Sequence, residues 1–321
     1  MMDTTAKKAS HRVWAYDLVR AVSMLWVVAL WHNHLTTEGT VAYAITIAAL
    51  GAFTFLSGML NSRKCEYPGD VRKAVRFYEN RFLRLYPFYF LSCVSLYFIP
   101  GFMYSRRQLF FTLTDIACIT NGFPMTVWYC GMILAFYVFT PLVGFQKTTR
   151  RKILCAAGIL AVLIAIRFGY RLEVRMIYYW PAYAAGMLVK DLKRSWKALA
   201  LSFACFAATI AVYAAYPGLW IHIPMALSGA VLIIEAALWI EHAMRGKGAF
   251  LKKVITSISA ASMIAYLFHR QYFILFNPIV EMTGIQVLRI VFLPVFLFLC
   301  FYVQKLYSKA ISKLQKSLTK A

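Results

Sequence analysis

Acidic residues are scarce in this chain: 12 Asp and Glu stand against 35 Lys and Arg among 321 residues, a formal net charge of +23. Glycine is sparse too, at 16 residues, and the long apolar runs carry no heptads, which excludes collagen and coiled coil. The seven cysteines show neither zinc-ligand nor redox-motif spacing, so a metal-binding or disulfide-stapled module is excluded as well. Cys93, Cys118, Cys130, Cys155, Cys205 and Cys300 lie in apolar stretches as small buried hydrophobes, and Cys65 stands alone in a basic loop. Polar sequence is the last shortage, because 61% of the residues are hydrophobic against roughly 45–50% in soluble domains. A soluble core of this size cannot hide so much apolar surface, and a disordered chain would not hold 25 Phe and 20 Tyr. An integral membrane protein remains, with its positive charge gathered on one side of the bilayer.

A helix needs about 20 apolar residues to cross the hydrocarbon. Ten segments qualify, near 13–34, 40–60, 85–105, 126–145, 153–169, 175–190, 198–216, 219–241, 258–278 and 285–304. The apolar stretch Gln108–Thr120 is about half a span, and reads as re-entrant or interfacial. With the N-terminus in the cytoplasm, the inside segments hold 27 Lys and Arg and the outside loops hold four. That asymmetry is a positive-inside signal, and it collapses if the half-span is counted as a full one. The first 12 residues, with Lys7, Lys8 and Arg12, resemble the start of a signal peptide. The stretch after them is too long and lacks a small-residue cleavage site, so it reads as an uncleaved first span.

The expected fold is therefore all-α, about ten transmembrane helices with both termini inside. A cytoplasmic tail over 1–12 precedes a single membrane domain over 13–304, and a basic tail follows over 305–321. The longest segment between spans, Asn61–Arg84, is 24 residues and reads as an amphipathic cytoplasmic helix after the Tyr67-Pro68-Gly69 turn. It is too short to fold alone, so the membrane domain carries the function.

Ionisable groups inside a membrane are costly and mark functional sites by default. The first span holds Asp17, Arg20, His32 and His34. Asp17 and Arg20, three apart, share a helix face near the cytoplasmic boundary. His32 lies about 18 Å further along the axis, at 1.5 Å per residue. Ser57-Gly58 ends the second span as a small polar notch suited to a close helix contact. Arg81 and Arg84 share a face just before the third span, placed to clamp a phosphorylated ligand, and Pro87 suits the first turn of that span. Trp128-Tyr129 opens the fourth span, and Tyr266-Leu-Phe-His269-Arg270 lies in the ninth. Each has a blander reading: interface aromatics, snorkelling cations, or arginines on lipid phosphates.

Together these segments resemble the acyltransferase-3 family, integral membrane acyltransferases that often O-acetylate cell-surface or exported glycans. The resemblance spans nearly the whole chain. It rests on Tyr16-Asp17-Leu18-Val19-Arg20 with Trp31-His32, on Phe55-Leu56-Ser57-Gly58, and on Arg81-Phe-Leu-Arg84-Leu-Tyr-Pro87. It is completed by Trp128-Tyr129 with Phe136-Tyr137 and Pro141, and by Tyr266-Leu-Phe-His269. The resemblance implies an acyl-CoA donor, with acetyl-CoA foremost, bound by Arg20, Ser57, Gly58, Arg81 and Arg84 at the cytoplasmic side. It also implies His32 as general base or transient acyl acceptor. Asp17 is its expected catalytic carboxylate, and Asp115 and Glu235 are the other acids able to orient it. His34, Trp128, His269 and Arg270 are the expected acceptor contacts. The acceptor is a glycan or lipid-linked saccharide hydroxyl, and the setting a bacterial cytoplasmic (inner) membrane, with lipids as neighbours. No metal and no nucleic-acid partner is expected.

Two departures from the family pattern matter. Eleven residues separate Arg20 from His32 where ten are usual, and on a regular α-helix the extra residue turns His32 about 120° from Arg20. Either a π-bulge absorbs it or His34 shares the role. Met132 and Ile133 also stand where many members carry a Glu after the Trp of the fourth span. A transporter or channel lined by the same cations is the alternative reading, weakened by the lack of paired broken spans in two matching halves.

Overall fold

The computed structural model describes residues 13–32, 39–62, 65, 70–103, 105–124, 126–189, 191–285 and 287–318. Its regular elements are all helical among those residues. The first span starts as α1 (Trp14–Leu25) and continues without a break as a π-helical turn, Trp26–Trp31. Nine of the twelve α1 residues are buried, which makes it a central helix rather than a lipid-facing one. Its start is tied down by the Trp14 N–H on Glu241 Oε1 at 2.9 Å and by the Trp14 indole on the Lys252 carbonyl.

Two long helices follow it in the chain. α2 (Thr40–Ser62) buries Ala44, Ala48, Ala52, Leu56 and Met59, residues three and four apart along its inner face. α3 runs from Val71 to Tyr97, capped by the Asp70 carboxylate on Lys73 N–H. The expected separation into a cytoplasmic helix and a span does not occur, for α3 passes unbroken through Pro87. The basic first half and the apolar second half are one rod, so Arg81 and Arg84 are held rigidly against the bundle.

The half-span folds as two short helices, α4 (Arg106–Leu113) and α5 (Ala117–Thr120). Asp115 between them adopts φ 62° and Asn121 after them φ 50°, left-handed values that stop each helix. The orphan carbonyls at the end of α4 are satisfied by α3: the Tyr89 hydroxyl donates to Thr112 O at 2.8 Å and Tyr86 to Leu113 O at 3.1 Å.

The rest of the bundle is α6 (Trp128–Gly144), α7 (Thr149–Gly169), α8 (Arg175–Leu188), α9 (Trp196–Ala215), a 3-10 turn at Leu219–Ile221, α10 (His222–Ala243) and α11 (Ala249–Thr283). It closes with α12 (Leu288–Val291) and α13 (Leu293–Leu318). Among the described residues six helices are long and apolar enough to cross a membrane: α1 with its π turn, α2, α7, α9, α10 and α11. α6 is apolar but only 17 residues long. The other expected spans fall on α3, α8 and α13, which are shorter or more polar. α13 also runs past 304 as helix, so the expected basic tail is continuous with the bundle through Leu318.

Burial separates two kinds of helix. α8 and α2 pack closely at two glycines: a Cβ on Gly58 would strike the Tyr183 carbonyl oxygen, and one on Gly186 the Phe55 carbonyl oxygen. α7 and α9 lie outside and turn Ile153, Leu154, Val162, Leu201 and Phe203 outward. In water that surface would be a liability; against lipid chains it costs nothing.

Candidate active site

A cavity of about 660 Å³ opens between α1, α2, α3, α6, α11 and α13, a volume within the roughly 300–1,000 Å³ of small-molecule sites. Arg20 from α1, Ser57 from α2, and Arg81 and Arg84 from α3 all line it. Four residues from three helices thus line one cavity. The Arg81 guanidinium lies 5.5 Å from the Phe77 ring centre and 5.9 Å from that of Tyr137, contacts worth about 0.5–2 kcal/mol each. Its Nε is buried without a hydrogen-bond partner among the described residues. A desolvated guanidinium with a spare donor is poised for an anion.

Sequence reasoning missed most of the lining. Asn61, one turn after Ser57, donates to the Ser57 hydroxyl and to the Tyr183 hydroxyl at 3.3–3.4 Å. Gln304, Ser308 and Ser312 of α13 also face the cavity. Their spacing of four was visible as a polar stripe, but Gln304 read as the end of the tenth span and the two serines as part of the basic tail. The Tyr307 hydroxyl locks that helix to α3 by donating to Leu83 O at 2.5 Å.

Gly58 belongs elsewhere. It lines no part of the cavity and instead forms the close contact with α8.

The inner end of the cavity is aromatic. Tyr129 and Tyr266 line it with ring centres 5.5 Å apart, and Tyr129 O–H pairs with Thr54 Oγ1 at 3.1 Å. Three residues after Tyr266 on the same helix stands His269, its ring centre 5.7 Å from that of Tyr266. His269 stacks on His32 with centroids 4.7 Å apart and planes 2° from parallel. Ring contacts thus join Tyr266 on the cavity wall to His269, and His269 to His32, neither histidine itself lining the cavity.

The π turn is what aims His32 there. His32 N–H donates to Val27 O at 3.0 Å, five residues back, so the eleventh intervening residue is absorbed in the wide turn. His32 keeps the side of the helix that a ten-residue spacing would give it. His34, the other solution to the spacing, lies outside the described residues.

The carboxylates sit away from that point. Asp17 is buried and its Oδ1 accepts from Ser259 Oγ at 2.8 Å, fifteen residues and about 22 Å from His32 along the helix. Glu235 accepts the Ser195 N–H at 3.0 Å, capping the neighbourhood of α9. Asp115, in the turn between α4 and α5 and outside the spanning helices, bonds the Cys118 thiol, and burial pushes its carboxyl up to about 8. Trp128 lies under the Arg175 guanidinium at 4.0 Å, and Arg175 is held by two 2.7 Å bonds to the buried Glu173. Arg270 follows His269, with its Nε buried and without a hydrogen-bond partner among the described residues.

A helical bundle with several lipid-facing apolar helices, built around a basic pocket with an aromatic end, defines an integral membrane protein. The family follows from comparison with known proteins. The acyltransferase-3 model, described as an acyltransferase domain, matches residues 13–304, nearly the whole chain. The chain belongs to that family and is an acyltransferase. No curated protein and no solved structure matches it.

Proposed function

We propose that the protein moves an acyl group, acetyl in the first instance, from cytoplasmic acyl-CoA to a hydroxyl of a surface or exported glycan or a lipid-linked saccharide. The observation that carries this reading is the single cavity lined by Arg20, Arg81 and Arg84, whose aromatic wall at Tyr266 is joined by ring contacts to His269 and then to His32. The phosphates of the donor bind the three arginines by charge-assisted hydrogen bonds. Ser57 offers a hydroxyl to the pantetheine arm, which runs past Tyr129 and Tyr266. The thioester then meets His32, which acts as general base on the acceptor hydroxyl or accepts the acyl group itself. Asp17 keeps α1 docked on α11 through Ser259 and so fixes the register of Arg20 and His32. Trp128 and Arg270 lie toward the acceptor side of this path.

The same reading includes ten spans with both termini inside, in a bacterial inner membrane. Two pairings support the orientation. Asp17–Ser259 at one end and His32–His269 at the other make α1 and α11 parallel, as a first and a ninth span would be. The Trp14 N–H on Glu241 brings the start of α1 to the end of α10, where an even-numbered span would return to the cytoplasm.

Thermal unfolding of the purified protein with acetyl-CoA tests the donor site. A ligand at 100 times its dissociation constant stabilises the folded state by about 2.7 kcal/mol, so the midpoint should rise with acetyl-CoA and rise less with dephospho-CoA. An unchanged midpoint at millimolar acetyl-CoA rejects the reading.

A further inference from the structure

His269 has no task in the transfer as described, yet its surroundings are unlike those of a packing residue. The ring is 0% exposed, and its Nδ1 lies 2.5 Å from the Tyr266 carbonyl oxygen. A carbonyl only accepts, so Nδ1 holds the hydrogen and Nε2 holds the lone pair. That Nε2 is buried without a hydrogen-bond partner among the described residues. The Tyr266 and Phe273 ring centres each lie 5.7 Å from that of His269. A buried acceptor without a donor is costly, and a phenylalanine in its place would avoid that cost.

The stack supplies the reason. An acyl group on an imidazole nitrogen is conjugated with the ring and lies in its plane, so its carbonyl carbon is attacked from above or below that plane. One face of His32 is turned to His269, in a parallel plane 4.7 Å away by ring centres. A hydroxyl approaching an acyl group on His32 from that side comes within reach of the His269 lone pair.

We infer that His269 is a second catalytic base, which takes the proton of the acceptor hydroxyl as it attacks an acyl group held on His32. This rests on the proposed transfer in its covalent form. In the first half-reaction a His32 nitrogen bonds to the thioester carbonyl carbon, the C–S bond breaks, and CoA leaves as the thiol with the imidazole proton. In the second the acceptor oxygen bonds to the acyl carbon and the C–N bond breaks. The hydroxyl proton passes to His269 Nε2 and then to the departing imidazolate of His32. Both rings finish neutral, and no other reactant is needed.

Water serves as a probe acceptor, so the two halves can be read separately on the full-length protein in detergent. Exchange of labelled CoA into acetyl-CoA reports the first half, and release of acetate reports the second. His269→Asn keeps an amide hydrogen where Nδ1–H stands and removes the base; His269→Gln places an amide at the Nε2 position and serves if the first variant fails to fold. Either should lower acetate release about 100-fold more than it lowers exchange, the scale of a lost general base. Equal losses in the two assays, or acetate release at the wild-type rate, overturn the role of His269 alone. Wild-type protein that binds acetyl-CoA but shows no exchange overturns the covalent transfer, and this inference with it.

Discussion

His32 and His269, 237 positions apart in the sequence, stack with ring planes 2° from parallel. The contact depends on three local facts. The π turn at Trp26–Trp31 aims His32, the Tyr266 carbonyl fixes the His269 ring, and the Asp17–Ser259 bond sets the register between the two helices one cavity-length away. The same two helices thus carry Arg20 and Ser259 on the cavity wall and, further along, the stacked imidazoles. On the proposed reading, a donor whose phosphates are bound at Arg20 has its reactive end directed along α1.

Replacing His32 by alanine should abolish acyl transfer, a loss of at least about 100-fold, while the protein still inserts and binds its donor. His32 is only partly buried, so removing its ring leaves little strain in the bundle. Transfer assays beside acetyl-CoA-dependent thermal shifts check both halves of this expectation. Full activity in the variant rejects His32 as the reacting group.

Arg81→Ala and Arg84→Ala should weaken donor binding rather than chemistry. A hydrogen bond to a charged group contributes about 1.5–3 kcal/mol, so each substitution should raise the donor dissociation constant roughly 10- to 100-fold. Arg81→Lys should not restore it, because the ammonium lacks the planar face that rests between Phe77 and Tyr137. Titration of acetyl-CoA against each variant measures the effect. Unchanged affinity would leave these arginines as anchors for lipid phosphates.

The all-helical membrane fold was legible because apolar runs and charge asymmetry are properties of the chain itself. The basic wall of the cavity was legible for a related reason: Arg20, Ser57, Arg81 and Arg84 are polar groups in or beside apolar segments. Other features depend on pairings between distant helices. Gly58 reads in sequence as part of a notch suited to a close helix contact, but which helix fills it, α8, is visible only in the fold. The continuity of α3 through Pro87 was hidden by a composition that changes from basic to apolar midway. The polar stripe on α13 had its signal in the spacing of Gln304, Ser308 and Ser312, masked by the lysines around it.

Gly58→Ala should destabilise the bundle. The added methyl meets a backbone carbonyl, at Tyr183, which cannot rotate away as a side chain tip would. Overpacking of this kind costs typically about 1–3 kcal/mol. The thermal midpoint should fall, and so should the fraction of protein folded at the growth temperature. Donor affinity per folded molecule should change far less than in Arg81→Ala, and separating the two by titration of the folded fraction distinguishes packing from binding.

Asp115 gives the turn between α4 and α5 a pH dependence. Its Oδ1 is buried without a hydrogen-bond partner among the described residues, and burial raises its folded pKa to about 8 from the 3.8 of an unperturbed aspartate. The folded state therefore binds a proton that the unfolded chain releases at lower pH. The stability tied to that proton is fully present below about pH 4 and is lost progressively as the pH rises toward 8. Asp115→Asn, neutral at every pH, should flatten this slope and raise the relative stability of the protein at alkaline pH. Thermal midpoints of both proteins between pH 5 and 9 measure it. Parallel curves would mean that the carboxyl is already ionised in the folded protein.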